Sequence, residues 1–247
     1  CDLDLVSTKD NDDIISVFGR SATLTINRAV DIELNGVRID GNVVVNTSDA
    51  VDKMSLKSTG AGAYIKGYSL RNKNGAALTV NAGSIKAFNL DNVHVEAGEN
   101  NAYALCINDV YSNSFHNING SVIEGNIVLT DANGAGFENL ATIKKCEVFE
   151  ITSKGDVNLR GDFAGVTKLN LQQAAKLTFI GADLDEMQIV ANVAATRIIF
   201  DANTTSDNAQ LISKSKDVRV TLPQSLVGKI KLIKDGGEFV AVTKDNK

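Results

Sequence analysis

The chain has 247 residues, a formal net charge of −5 and 43% hydrophobic residues. That apolar content with nearly balanced charge argues against a disordered chain, the lack of a dominant basic stripe argues against a nucleic-acid partner, and no run reaches the roughly 18 apolar residues of a membrane-spanning helix. With no Trp, one Pro, 20 Gly and 5% aromatic residues, the core is expected to be aliphatic, filled by Val, Ile, Leu and Ala.

The sequence starts at Cys1, followed by Asp2-Leu-Asp4 and the acidic run Lys9-Asp-Asn-Asp-Asp13. This start resembles that of surface-exposed lipoproteins of Bacteroidetes-type bacteria, whose first cysteine carries the lipid. The resemblance implies that Cys1 is the lipid anchor, that the chain is tethered at the bacterial outer membrane facing the cell surface, and that an outer-membrane protein is a candidate partner. Residues 1–20 are expected to form a leading segment and N-terminal cap. Ile14-Ile-Ser-Val-Phe18 would cover the first coil, since an open strand edge needs cover.

From residue 21 to residue 222 short strands follow in quick succession. Thr23-Leu-Thr-Ile26, Val30-Asp-Ile-Glu-Leu34, Val37-Arg-Ile39 and Val43-Val-Val45 are separated by breaks such as Asn35-Gly36 and Asp40-Gly-Asn42. Further on, the pattern becomes a repeat. Leu140, Ile143, Cys146 and Val148 have the same relative spacing as Phe163, Val166, Leu169 and Leu171, 23 residues later; a looser copy begins at Leu184, Met187 and Val190. Lys176–Ile180 and Thr196–Phe200 stand 20 apart, and Val218–Leu222 follows 22 later. A fixed period in this range signals a solenoid. β-branched residues suit a pleated, half-buried surface, and Asn and Gly tolerate left-handed corners.

The runs Ile32-Glu-Leu34-Asn-Gly-Val37-Arg-Ile39-Asp-Gly, Phe88-Asn-Leu90-Asp-Asn-Val93-His-Val95-Glu and Ile118-Asn-Gly-Ser-Val122-Ile-Glu-Gly resemble the pectin-lyase-type right-handed β-helix. The resemblance implies an all-β fold, a single right-handed parallel β-helix solenoid over 21–222. Two alternatives stay open. Asn-Gly at Asn35, Asn74, Asn119 and Asn133 is also a hairpin signal and would suit an antiparallel sandwich. The 1-4-7-9 apolar spacing also resembles a leucine-rich repeat. Residues 223–247 depart from the pattern: Pro223 is expected to end the last coil, and Lys229–Ile233 and Glu238–Val242 around Asp235-Gly-Gly237 are expected to form a C-terminal hairpin cap.

The chemistry is sparse. His94 and His116, 22 residues apart, are expected to stack on adjacent coils, both outward. Asp91 and Glu96 are their obvious acidic neighbours in sequence, too few for a metal site, so neither a metal nor any other cofactor is expected. Tyr64 and Tyr68 precede Tyr103 and Tyr111 by about two coils and could form one face for a polysaccharide. Asp162, Asp183, Asp185, Glu186 and Asp201 are carboxylates that acid–base catalysis on a glycan would use, with Asp183 and Asp201 placed one short coil apart. The clustered Asn-x-Asp, Asp-Asp and Gly-His-Gly of pectin-degrading hydrolases are absent. Cys106 and Cys146, about two coils apart, lie too far from each other for a disulfide and are expected to be free thiols. The expected function is therefore non-enzymatic: an adhesin-like or accessory surface lipoprotein presenting a flat face to a protein partner or a glycan. A β-helical polysaccharide lyase or glycoside hydrolase is the alternative.

Overall fold

A computed structural model of the chain describes residues 3–4, 13–16, 23–29, 31–47, 52–68, 75–83, 87–109, 114–131, 134–173, 176–192 and 196–245. Cys1, Tyr111, Asn74 and Asn133 lie outside them. The described residues are all-β apart from one short 3-10 turn, Gln224–Leu226, so among them no helix is long and apolar enough to cross a membrane. Every strand ladder among them is parallel. The antiparallel alternative is thereby overturned: Asn35-Gly36 leads into the next parallel strand, Val37–Asp40, and Asn119-Gly120 lies within the parallel-paired strand Ser114–Glu124. The leucine-rich-repeat alternative also falls, because successive passages of chain are strands on both sides.

The strands form a 15-stranded and a 10-stranded sheet, and the chain alternates between them. Asp156–Asp162 and Lys176–Asp183 lie in the larger sheet, while Lys168–Gln173 and Gln188–Ala191 lie in the smaller. Parallel strands in register place like residues over like residues, so each inward position becomes a column. Leu56, Leu90 and Ile118 form one such column, and Leu105, Ile127, Phe149, Leu169, Ile189 and Leu211 another. All are buried, and each removes roughly 1.5–3 kcal/mol worth of apolar surface from water.

The core is less aliphatic than its composition suggests. Phe88, Phe137, Phe149, Phe163, Phe179 and Phe200 are fully buried or nearly so. Phe179 and Phe200 stack with ring centroids 5.0 Å apart and planes 10° off parallel. Aromatic residues are few in this chain, but most of the phenylalanines point inward.

The repeat exists with a different register. Cys146 bridges to Val166, and Phe149 pairs with Leu169, a step of 20 residues where the apolar spacing suggested 23. Leu169 pairs with Ile189, not Val190, and Phe179 with Phe200, a step of 21 where 20 was expected. The spacing of apolar residues recurs both along a strand and across a corner, so it matches itself at more than one offset. Hydrogen bonding admits only one. Cys106 and Cys146 are both free thiols, the first half-buried and the second buried. Burial pushes their pKa values up, to about 11 and about 12 respectively.

The corners differ between the two halves. In the first half the larger sheet has a second ladder, made by Asp13–Ser16, Val37–Asp40, Ala63–Lys66 and Val93–Glu96. The long strand Ser114–Glu124 joins both ladders: Phe115–Asn119 pairs with Ala87–Asp91, and Val122–Glu124 with His94–Glu96. Gly36, Asn92 and Gly120 take positive φ at the corner between them, a conformation that Gly and Asn reach cheaply. The Ser121 hydroxyl closes that corner, accepting from Val93 N at 3.0 Å and donating to Leu90 O at 3.2 Å. The second ladder ends at Thr142–Lys144. Beyond it the corner is a tight turn at Phe163–Val166 and again at Leu184–Met187, each closed by a 2.9 Å backbone hydrogen bond.

The C-terminal hairpin does not form. Lys231–Lys234 pairs parallel with Gln210–Ser213 in the smaller sheet, and Phe239–Asp245 pairs parallel with Val218–Pro223 in the larger. The repeating architecture therefore runs past residue 222. Alternating apolar and polar residues do not encode the direction of pairing, which is why the sequence suggested a hairpin. At the other end, Leu3–Asp4 and Asp13–Ser16 also join the larger sheet in parallel.

Candidate functional site

The second ladder shows strict inside–outside alternation. Val37, Ile39, Ala63, Ile65, Val93, Val95 and Ile123 are buried, and the residues between them face out. Two outward columns result. One runs Arg38, Tyr64, His94, Val122; the other runs Asp40, Lys66, Glu96, Glu124, Lys144. The flat ladder fixes the spacing of these side chains without any loop.

The first column is a stack. The Arg38 guanidinium sits 5.0 Å from the Tyr64 ring centroid, and the Tyr64 and His94 rings are 4.6 Å apart and tilted by 49°. Arg38 Nε also donates to Asp40 Oδ1 at 3.0 Å. A partly exposed cation–π contact of this kind is worth about 0.5–1 kcal/mol. In the second column Lys66 Nζ lies 3.1 Å from Glu96 Oε1, and His94 Nε2 lies 3.4 Å from Glu124 Oε2. Tyr64 Oη donates to Glu96 Oε2, and Lys145 Nζ to Glu124 Oε1.

The two glutamates are driven apart in acidity. Burial raises the Glu96 pKa, helped by the charge of Glu124 and opposed by Lys145 and Arg38. The hydrogen bond from Lys145 holds Glu124 below the ordinary range. Burial lowers the His94 pKa against the pull of Glu124, which favours the neutral ring near pH 7.

Two shallow recesses flank the columns. One of about 310 Å³ is lined by Arg38, Gly62, Ala63, Tyr64 and His94. The other, about 520 Å³, runs from Lys66 and Glu96 to Tyr68 and Asn100, and Tyr68 at its rim is 40% exposed. No protein-family model, curated protein or solved structure matches the chain.

The expected site residues are only partly brought together. Tyr64 and His94 touch, and Tyr68 lines the same recess as Glu96. His116 does not stack on His94: it pairs with Phe88 and Phe137 and is fully buried. The layer step here is 28 residues, as Phe88 to His116 and His94 to Val122 both show, so a spacing of 22 misplaces it. Tyr103 belongs to the smaller sheet, opposite Ala76, and shares no face with Tyr64. Glu124 was the residue missed. Its signal lies in four runs of one form: Val37-Arg-Ile-Asp-Gly41, Ala63-Tyr-Ile-Lys-Gly67, Val93-His-Val-Glu-Ala97 and Ser121-Val-Ile-Glu-Gly125. Each ends in a charged residue just before a small corner residue, which puts Glu124 over Glu96.

The other carboxylates serve turns. Asp162, Asp183 and Asp201 each accept from the backbone N–H two residues on, at 2.8, 3.4 and 3.1 Å. Asp183 lies beside Asp162 and Thr205, not Asp201. Asp185 and Glu186 line a separate recess of about 500 Å³ among the turns at 164–167 and 185–188. Burial alone would raise the Asp201 pKa, but hydrogen bonds from Gly181, Thr204 and Asn203 outweigh it and hold the group below 3.8. A depressed carboxylate stabilises the fold above its unfolded pKa and loses that contribution as pH falls through the folded value. Asp201→Ala is therefore expected to cost about 1–2 kcal/mol at neutral pH. In denaturant titrations at stepped pH the gap from wild type should close below pH 3.8; a gap independent of pH would rule out this role for the carboxylate.

Proposed function

We propose that the chain winds as a right-handed parallel β-helix with its terminal segments as caps. In this reading it is a non-enzymatic, adhesin-like or accessory lipoprotein held at the outer surface of a bacterium through lipidated Cys1. Its ligand is a surface polysaccharide, bound along the Arg38–Tyr64–His94 and Lys66–Glu96–Glu124 columns. The observation that carries the reading is the continuous outward face of these columns, spaced by the strand ladder and edged by the exposed ring of Tyr68. Such a face matches an extended, repeating, polar ligand better than a compact one, because its groups recur at the strand spacing of about 4.8 Å.

Parallel strand connections are overwhelmingly right-handed, which supports the handedness. Tyr64 is enclosed by Arg38 and His94 and its hydroxyl is engaged by Glu96, so Tyr68 is the ring available for sugar stacking.

The test is retention of native cell-surface polysaccharide on immobilised protein. Tyr68→Ala and Arg38→Ala are each expected to weaken retention about tenfold, the loss of roughly 1.4 kcal/mol. Retention unchanged in both variants would reject the face as the binding surface. Release of new reducing ends from the bound polysaccharide would favour the hydrolase alternative. The anchor has its own measurement: the intact mass of native protein should show acylated Cys1, and an unmodified cysteine would refute it.

A further inference from the structure

We propose that His94, Glu96 and Glu124 form a binding site for a divalent cation of the zinc class. Their donor atoms all lie within 4.8 Å of one another. His94 and Glu96 are two residues apart on one strand and so share a face, and Glu124 stands directly beside Glu96 on the next strand. Three side chains rooted at these points converge without any backbone movement.

The separations suit the ion. Donors at about 2.0–2.1 Å around a tetrahedral centre stand roughly 3.3–3.4 Å from each other. His94 Nε2 and Glu124 Oε2 are 3.4 Å apart, which is that edge. Glu96 supplies the third donor, within 4.8 Å of the other two. The set of one imidazole and two carboxylates selects a borderline metal over calcium, which takes six to eight oxygens. Three protein donors leave a fourth position open for water or a ligand group.

Charge points the same way. Two carboxylates are neutralised here by two ammonium groups, Lys66 on Glu96 and Lys145 on Glu124. One divalent ion replaces both. The donors are set deeper than the cations that cover them: Glu124 is 17% exposed and Lys145 79%. A lysine head on a flexible stem in water leaves at little cost, since an exposed ion pair is worth about 0–1 kcal/mol. Tyr64 Oη on Glu96 then acts as the outer contact that orients a ligating carboxylate.

The inference goes beyond the polysaccharide reading and does not rest on it. The experiment is a calorimetric titration of tag-free protein with zinc chloride, with no glycan present, so the two readings fail separately. The expected result is one saturable site per chain. His94→Ala and Glu124→Gln should each weaken it more than about tenfold, while Lys145→Ala should tighten it, because a competing cation is gone. Cobalt(II) bound to wild-type protein should show the visible absorption of a tetrahedral centre, and His94→Ala should abolish it. Thermal melts of metal-free variants check folding; if Glu124→Gln does not fold, His94→Ala decides by itself. The proposal is overturned by no saturable zinc binding, by equal binding in wild type and His94→Ala, or by calcium binding as tightly as zinc, which would mark a plain acidic cluster.

Discussion

Phe149→Ala is expected to lower stability by about 3–5 kcal/mol. Phe149 is fully buried, and its ring lies 5.3 Å from that of Phe137 at 67° and 6.4 Å from that of Phe163 at 29°. The three rings meet between the sheets, with Phe137 in the larger sheet and Phe149 in the smaller. Removing the middle ring leaves a cavity that cannot collapse readily. The layers on either side, at Ile127 and Leu169, are held by their own hydrogen-bonded ladders. Edge-to-face and offset contacts add about 0.5–1.5 kcal/mol beyond the buried area. Urea denaturation followed by circular dichroism gives the number, and Phe149→Leu should recover most of the loss. A cost below about 1 kcal/mol would mean that the triad does not couple these layers.

Gly98→Ala is expected to disrupt the candidate site without altering any group in it. A methyl at Gly98 would overlap the carbonyl oxygen of Gly67, and would stand 2.9 Å from Asn101 Oδ1. Gly67 N–H is bonded to Glu96 O at 2.8 Å, so a displaced Gly67 strains the hydrogen bond that ties the end of the Lys66 strand to Glu96. Forced separation of packed backbone costs about 1–3 kcal/mol or more. Gly62→Ala is the matched control: its methyl would meet Asn92 Oδ1 at 3.6 Å, an ordinary contact. The expected pattern is a lowered melting temperature and weakened ligand binding for Gly98→Ala, with Gly62→Ala near wild type in stability. Equal stability of the two variants would contradict the close approach of the Gly67 and Gly98 backbones.

Much of the fold is legible in the residues themselves. Val93-His-Val95-Glu96 shows by its alternation which side chains face out, and Asn92 and Gly120 mark corners because the backbone there is left-handed. The direction of pairing is not legible. Lys231–Lys234 and Phe239–Asp245 alternate as a hairpin would, and only the hydrogen-bonded partners distinguish the two cases. Register is also hidden wherever layer length varies. The first half carries steps such as Val43 to Leu78 and Leu78 to Leu105, so a period taken from the second half puts His116 on the surface when it is in the core. The meeting of His94, Glu96 and Glu124 depends on those uneven steps. It becomes visible in sequence only when the short runs ending at Asp40, Lys66, Glu96 and Glu124 are aligned by form and not by distance.

The loss of the second ladder after Lys144 has an architectural meaning. Each repeat beyond that point adds one strand to each sheet and about 4.8 Å of length, and contributes nothing to the Tyr64–Glu124 face. The number of layers and the make-up of the proposed binding face are thus coded in different stretches of the chain. Whole repeats could be duplicated or deleted after residue 144 and the chain would gain or lose layers while that face stays intact, whereas a single residue inserted within Val93–Glu96 would turn its outward side chains inward.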